Sequence, residues 1–232
     1  MTALIACSHG TRSRAGRATI NALLEAVAVE LPEVRIEPAF VDVELPAVGD
    51  VVARLAADGP AVVVPLLLST GHHTRVDIAG AVDPYPHVIA AAPMGPHRLL
   101  AEALVRRLAE LPGGDPGRRA GDHVVLAAAG SSDPPAAAAA ERMCELLQEE
   151  LPVPVTTGFG AGRGPTLREA VAAARAAGAR RVIAASHLLA PGHFAGLVAR
   201  SGADLWTAPL GTDPAVVALV AQRFQEAADV TV

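Results

Sequence analysis

Two adjacent histidines, His72 and His73, follow an apolar run in "VVVPLLLSTGHHTRVDI", residues 62 to 78, and a third, His9, closes the apolar "ALIACSH" near the start of the chain. Between them "FVDVELP" offers Asp42 and Glu44 just past another apolar stretch. Two imidazoles and a carboxylate delivered from separate segments make an open site for a borderline divalent transition metal such as Fe(II), Co(II), Ni(II) or Zn(II). With a reference pKa near ~6.5, a neutral imidazole also accepts protons at cellular pH. Nothing like HExxH spacing fixes these residues locally, so the fold must bring them together.

The elements that would do so follow from the hydropathy pattern. Short Val-rich runs alternate with amphipathic Ala/Leu/Arg/Glu segments, the pattern of parallel strands joined by crossover helices. The first half reads as strands at 3 to 8, 34 to 42, 61 to 68 and 87 to 91, with helices at about 16 to 30, 47 to 57, 75 to 82 and 97 to 110. The Gly/Pro-rich "LPGGDPGRRAGD", residues 111 to 122, interrupts it. The expected organisation is an N-terminal half at 1 to 112, a linker at 113 to 122 and a C-terminal half at 123 to 232.

The second half repeats the first. "ALIACSH" at 3 to 9 answers to "VVLAAAG" at 124 to 130, "ELP" at 30 to 32 returns at 150 to 152, and "PLLLSTGHH" at 65 to 73 aligns with "SHLLAPGHF" at 186 to 194. Two tandem related α/β domains are therefore expected, each a parallel sheet flanked by helices, with a cleft between them. Ligands of such sheets bind beyond the carboxyl ends of the strands. His9, Asp42, Glu44, His72 and His73 all fall at such ends. A histidine inside a strand buried on both faces is normally a satisfied core residue, whereas one just past the strand is solvated and able to act. In the second half the counterpart of His9 is Gly130 and that of His73 is Phe194, while His193 matches His72. The imidazole kept in both halves suits a structural or cleft-lining role, so His73 is the better candidate for chemistry.

Composition removes other classes. A net charge of -5 with one Trp and one Tyr lacks the basic face and stacking aromatics of a nucleic-acid binder. The longest apolar run, Ala61 to Leu68, is far short of the ~20 residues that cross a bilayer, so no membrane span is expected. The opening "MTALIACSHG" reads as a first strand rather than a secretory leader. Cys7 and Cys144 form no disulfide framework, which suits the cytoplasm. "GFGAGRG" at 158 to 164 lacks both GxGxxG spacing and GK[ST] and reads as a βα turn, with Arg163 near the cleft; no nucleotide is expected.

Taken together, "SHGTRSRAG", "PLLLSTGHHTRVDI" and "ASHLLAPGHFAGLV" resemble the class II chelatases, most closely the long, two-domain sirohydrochlorin chelatases of the CbiX/SirB type. The resemblance implies a lyase that inserts Fe(II), or next Co(II), into the tetrapyrrole sirohydrochlorin without ATP, on the way to siroheme or cobalamin. It implies His9 and His73 as the metal-holding and proton-accepting pair, with Asp42, where the family usually has Glu, or Glu44 assisting. Arg12, Arg14, Arg75 and Arg163, with His72, would then face the carboxylate-rimmed substrate. Two other readings use the same residues: a non-catalytic metal- or tetrapyrrole-binding module, and a hydrolase built on the "SHGT" turn, which resembles the "RHG" of histidine phosphatases with Ser8 in place of Arg. The internal repeat lets a monomer form the cleft, and a homodimer is the alternative.

Overall fold

The computed structural model describes residues 2–71, 73–113, 116 and 119–229, apart from the Arg75 side chain. The first half contains β1 (Ala3–Ser8), α1 (Arg14–Glu30), β2 (Ile36–Phe40), α2 (Val48–Ala56) and β3 (Ala61–Pro65). A π-helical turn (His73–Ile78) then runs into α3 (Ala79–Val82), followed by β4 (Val88–Ala90) and α4 (Arg98–Ala109). The second half contains β5 (Asp122–Ala128), α5 (Pro134–Glu150), β6 (Val155–Phe159), α6 (Leu167–Ala176), β7 (Arg181–His187), α7 (His193–Ala199), β8 (Leu205–Trp206) and α8 (Pro214–Ala228).

The strands form two four-stranded sheets of the same order, β2-β1-β3-β4 and β6-β5-β7-β8, with parallel pairing throughout. The chain is thus α/β with two tandem domains, as the repeat and the alternating pattern imply. The central strands are apolar because helices cover both faces: all of β1, β3, β5 and β7 is buried. Such strands offer polar side chains to solvent only beyond their ends.

Two differences from the expected boundaries bear on the site. β3 stops at Pro65, although Leu66 still donates its N–H to the Cys7 carbonyl at 2.7 Å; proline has no N–H with which to continue the ladder. Leu66, Leu67 and Leu68 instead become cleft wall. The helical segment expected from 75 begins at His73, as a wide π turn, which places that imidazole on a regular element.

The helices pack in an arrangement that the repeat does not announce. α4, the last helix of the first half, packs on α5 and β7 of the second, while α8, the last of the second, packs on α1 and β3 of the first. The exchange fuses the two halves into one apolar core, which runs from Leu4 and Val62 through Leu100, Leu104, Leu219 and Val220 to Leu126 and Ile183. Arg106 of α4 joins the exchanged helices by donating two bonds, at 2.9 and 2.6 Å, to the buried carboxylate of Asp213, which also caps α8 by accepting from Ala215 N–H at 2.9 Å. Burial pushes the Asp213 carboxyl up, but these bonds outweigh it and hold the group below its ordinary value.

Asp213→Ala removes a helix cap worth about 1 kcal/mol and a half-exposed ion pair worth at most about another. Urea denaturation should report a loss of about 2 kcal/mol, whereas an unchanged midpoint would show that the exchanged helices do not rely on this clamp.

Candidate metal centre

His9 sits one residue past β1 and is exposed. The turn after it needs Gly10, whose φ of +89° favours glycine and whose missing Cβ leaves room for the Asp42 carbonyl. The His9 carbonyl accepts from Asp42 N–H at 3.1 Å, which holds the two strand ends together. Beyond β3, the Thr74 hydroxyl ties down the second turn by accepting from Gly71 N–H at 3.0 Å and donating to the Gly71 carbonyl at 2.9 Å. His73 follows at once. Its ring stands edge-to-face on that of His9, with centroids 4.7 Å apart and planes at 89°.

One turn along the π segment, Asp77 lies 2.7 Å from His73 Nδ1. A carboxylate accepts, so in the neutral ring the proton sits on Nδ1 and the lone pair on Nε2, the arrangement that orients metal-ligating histidines. Sequence reading missed Asp77, although the His-x-x-x-Asp interval in "HTRVD" was there to be seen. Cys7 stays a thiol: burial, followed by the nearby Asp77 charge, pushes it up to about 12.

The two other expected ligands make contacts within the loop. Asp42 is exposed, lies outside the cleft lining, and accepts from Val43 N–H at 2.7 Å. It thereby braces a strained residue, since β-branched Val43 has a φ of +61°. Glu44 lines the cleft, but its Oε1 accepts from Thr11 N–H at 2.6 Å and its Oε2 pairs with Arg17 Nε at 2.8 Å. Among the described residues, no group of three or more His, Cys, Asp and Glu side chains gathers as a metal cage. The structure joins His9 and His73 and leaves both carboxylates in the loop that supports them.

A cleft of about 760 Å³ opens in front of the pair, lined by both halves. Arg12 reaches it; Arg14, at the start of α1, and Arg163, before α6, are exposed and do not line it. His72 and the Arg75 side chain lie outside the described residues. The second half lines the cleft with the apolar Ala128, Ala136, Ala140, Phe159 and Phe194, together with Ser131, Ser132, His187 and His193. Phe194, which stands where the repeat would place a second His73, packs so closely on Gly160 that a Cβ there would lie 2.6 Å from its ring. His193 opens α7 at the cleft and packs edge-to-face on Phe194, with centroids 5.4 Å apart.

Comparison with known proteins now bears on the chain. The CbiX family model matches residues 3–111 and 123–227. This chain belongs to the CbiX family. No curated protein matches it in sequence. Among solved structures, SirB from Bacillus subtilis with Fe3+ superposes on this CbiX-family fold with a TM-score of 0.81 at 24% identity, covering 99% of this chain and 97% of that one. The sirohydrochlorin chelatase SirB from Bacillus subtilis subspecies spizizenii, in complex with cobalt, gives 0.76 at 21%, covering 99% and 96%. A CbiX described as the terminal enzyme for biosynthesis of siroheme in denitrifying bacteria gives 0.70 at 20%, covering 97% and 98%. These likenesses establish a shared two-domain fold.

One lining residue of this CbiX-family chain went unnoticed in the sequence. His187 ends β7, buried, and burial pushes it down to about 4, against the upward pull of a bond to the Leu68 backbone. The repeat pairs it with Leu66, so the alignment gave no cue. An unfolded imidazole protonates near 6.5 and this one only near 4, so the unfolded chain binds more protons in between. Its contribution is therefore complete above pH 6.5 and fades as the pH falls towards 4, by about 3 kcal/mol in all. Wild-type stability should fall across that window more steeply than that of His187→Gln, which has no titrating ring; equal slopes would show that His187 titrates normally.

Proposed function

We propose that the chain is a sirohydrochlorin chelatase that inserts a divalent metal, Fe(II) first and Co(II) next, into the tetrapyrrole without ATP, for siroheme or cobalamin synthesis. The observation that supports this reading is the His9–His73 pair, backed by Asp77, in the lining of a cleft to which the second half contributes Phe159 and Phe194. Membership of the CbiX family supports it. So do the names of the similar structures, a SirB with Fe3+ and a sirohydrochlorin chelatase with cobalt.

Two neutral imidazoles would hold the metal substrate weakly and leave the remaining positions to water. A closed four-ligand site would not hand its ion on. The Asp77 carboxylate would keep the proton of the neutral His73 ring on Nδ1 and leave the Nε2 lone pair as the donor to metal. A macrocycle packed on Phe159 and Phe194 would approach that lone pair, and the two pyrrole N–H protons displaced by the metal would leave through His73 or water. Arg12 would meet a substrate carboxylate within the cleft, and Arg14 and Arg163 would act only at its mouth, with Arg75 and His72 as further candidates for contact with the substrate. Glu44 could ligate directly only by leaving Thr11 and Arg17, so contact through a water molecule suits it better, and Asp42 serves the turn. Ni(II) would fit the same nitrogen donors. A single chain supplies both walls, so a monomer suffices. Unpaired Cys7 and Cys144 and oxidisable Fe(II) both suit a reducing cytoplasm. Among the described residues, no helix is long and apolar enough to cross a membrane.

Anaerobic absorbance of excess sirohydrochlorin with Fe(II) or Co(II) tests the reading. Wild type should complete many turnovers. His9→Ala and His73→Ala should each slow the reaction about 100-fold or more, and Asp77→Asn, which alters only the support of a ligand, about 10- to 100-fold. Binding of one equivalent without turnover would replace the enzyme with a binding module.

A further inference from the structure

The glycines of "GFGAGRG", residues 158 to 164, are there for different reasons. Gly162 and Gly164 have φ of +83° and +99°, in the left-handed region that favours glycine. Gly158 lets α6 close on β6, since a Cβ there would lie 2.9 Å from that of Ala170. Gly160 has no positive φ, and what a Cβ there would meet first is the Phe194 ring, with Cδ1 at 2.6 Å and Cε1 at 3.2 Å. The first half shows what the turn itself needs. There Val41 N–H, one residue past β2, donates to the Ser8 carbonyl at 3.1 Å, just as Gly160 N–H, one residue past β6, donates to the Ala128 carbonyl at 2.9 Å. A β-branched residue therefore fits this backbone place in the half where His73 stands instead of Phe194. The glycine answers to the ring and not to the turn.

We propose that Gly160 is a positioning residue that shapes the surface offered to the tetrapyrrole: having no side chain, it seats the Phe194 ring on the backbone and holds it back from the cleft. This rests on the chelatase reading for its substrate, though not for the seat itself. Neither partner has slack. Beyond Gly160, Ala161 N–H donates to the Ala129 carbonyl at 2.9 Å, so the backbone under the ring is fixed to the margin of the second sheet. Phe194 sits in the first turn of α7 and packs on a buried cluster that includes Ala127, Leu167, Leu188 and Val198. The direction left to the ring is the cleft that it lines. Protein interiors are close-packed, so an added methyl group is taken up by displacing its neighbour. A ring pushed forward would stand where a flat macrocycle rests, while His9 and His73 belong to the other half and keep their places. Gly160 thus governs which ring the cleft admits, independently of the metal.

The test uses the full chain carrying 4-fluorophenylalanine at its four phenylalanines, with the Phe194 fluorine signal identified by its loss in Phe194→Leu. Gly160→Ala should move that signal and raise KM for sirohydrochlorin about tenfold or more, because a methyl group in an apolar pocket carries discrimination of that order. Its kcat, and its Co(II) affinity titrated without tetrapyrrole, should stay within about twofold of wild type, since the metal pair lies apart from the change. Adding Phe194→Leu to Gly160→Ala should return KM to that of Phe194→Leu alone, the smaller side chain leaving room for the methyl group. A wild-type KM in Gly160→Ala, a rise that Phe194→Leu does not relieve, or an equal loss of Co(II) affinity would overturn the proposal. Should Gly160→Ala fail to fold, the double variant must fold; a double variant that also fails would show that the backbone requires the glycine, and would overturn the proposal too. If wild type neither binds nor turns over sirohydrochlorin, the chelatase reading fails, and the fluorine signal still decides whether Gly160 seats the ring.

Discussion

The exchange of α4 and α8 between the two sheets is the constraint on which the site depends. Each sheet is buried on both faces, so its chemistry is confined to the strand ends, and strand ends are useful only if a second surface faces them. Independent halves joined by a linker would leave that facing to chance. Here each sheet is completed by a helix from the other half, and one core passes through both. Separating the halves would expose that core, so the cleft has a fixed floor even where its walls are loops. The buried Asp213, bound by Arg106 and capping α8, marks the point where the crossing is locked.

Within this frame the repeat has been divided by function. Both halves keep the sheet order, but the His9 and His73 of one rim are answered by Gly130 and Phe194 on the other. His73 and Phe194 occupy matching places on opposite walls. A metal needs lone pairs from one direction only, and a flat macrocycle needs an apolar surface against which to rest. A second imidazole pair opposite the first would hold the ion more tightly and oppose its release. The asymmetry is thus what the proposed transfer requires.

Much of this was legible in the sequence because parallel strands give a strong signal: continuous Val/Ile/Leu runs, each followed by a polar rim residue. The repeat fixed the symmetry of the halves, and the rim positions of His9 and His73 followed. The helix exchange was not legible, since amphipathic spacing shows that a helix buries a face and not which sheet covers it. Nor was the engagement of Glu44, because its partners Thr11 and Arg17 lie 33 and 27 positions upstream and are recruited by the loop fold. Asp77 was hidden for a local reason. A helix expected from 75 leaves His73 outside it, and only the π turn from His73 puts the two side chains on one face. His187 was masked because its repeat partner is a leucine.

The most direct test of the metal centre is cobalt K-edge X-ray absorption of the Co(II)-loaded protein, without tetrapyrrole, compared with His9→Ala. The expected spectrum for wild type shows two imidazole nitrogens with oxygen ligands completing the shell, falling to one imidazole in the variant. A thiolate in the shell, three or more imidazoles, or a spectrum unaffected by the loss of His9 would place the metal elsewhere and contradict an open two-histidine centre.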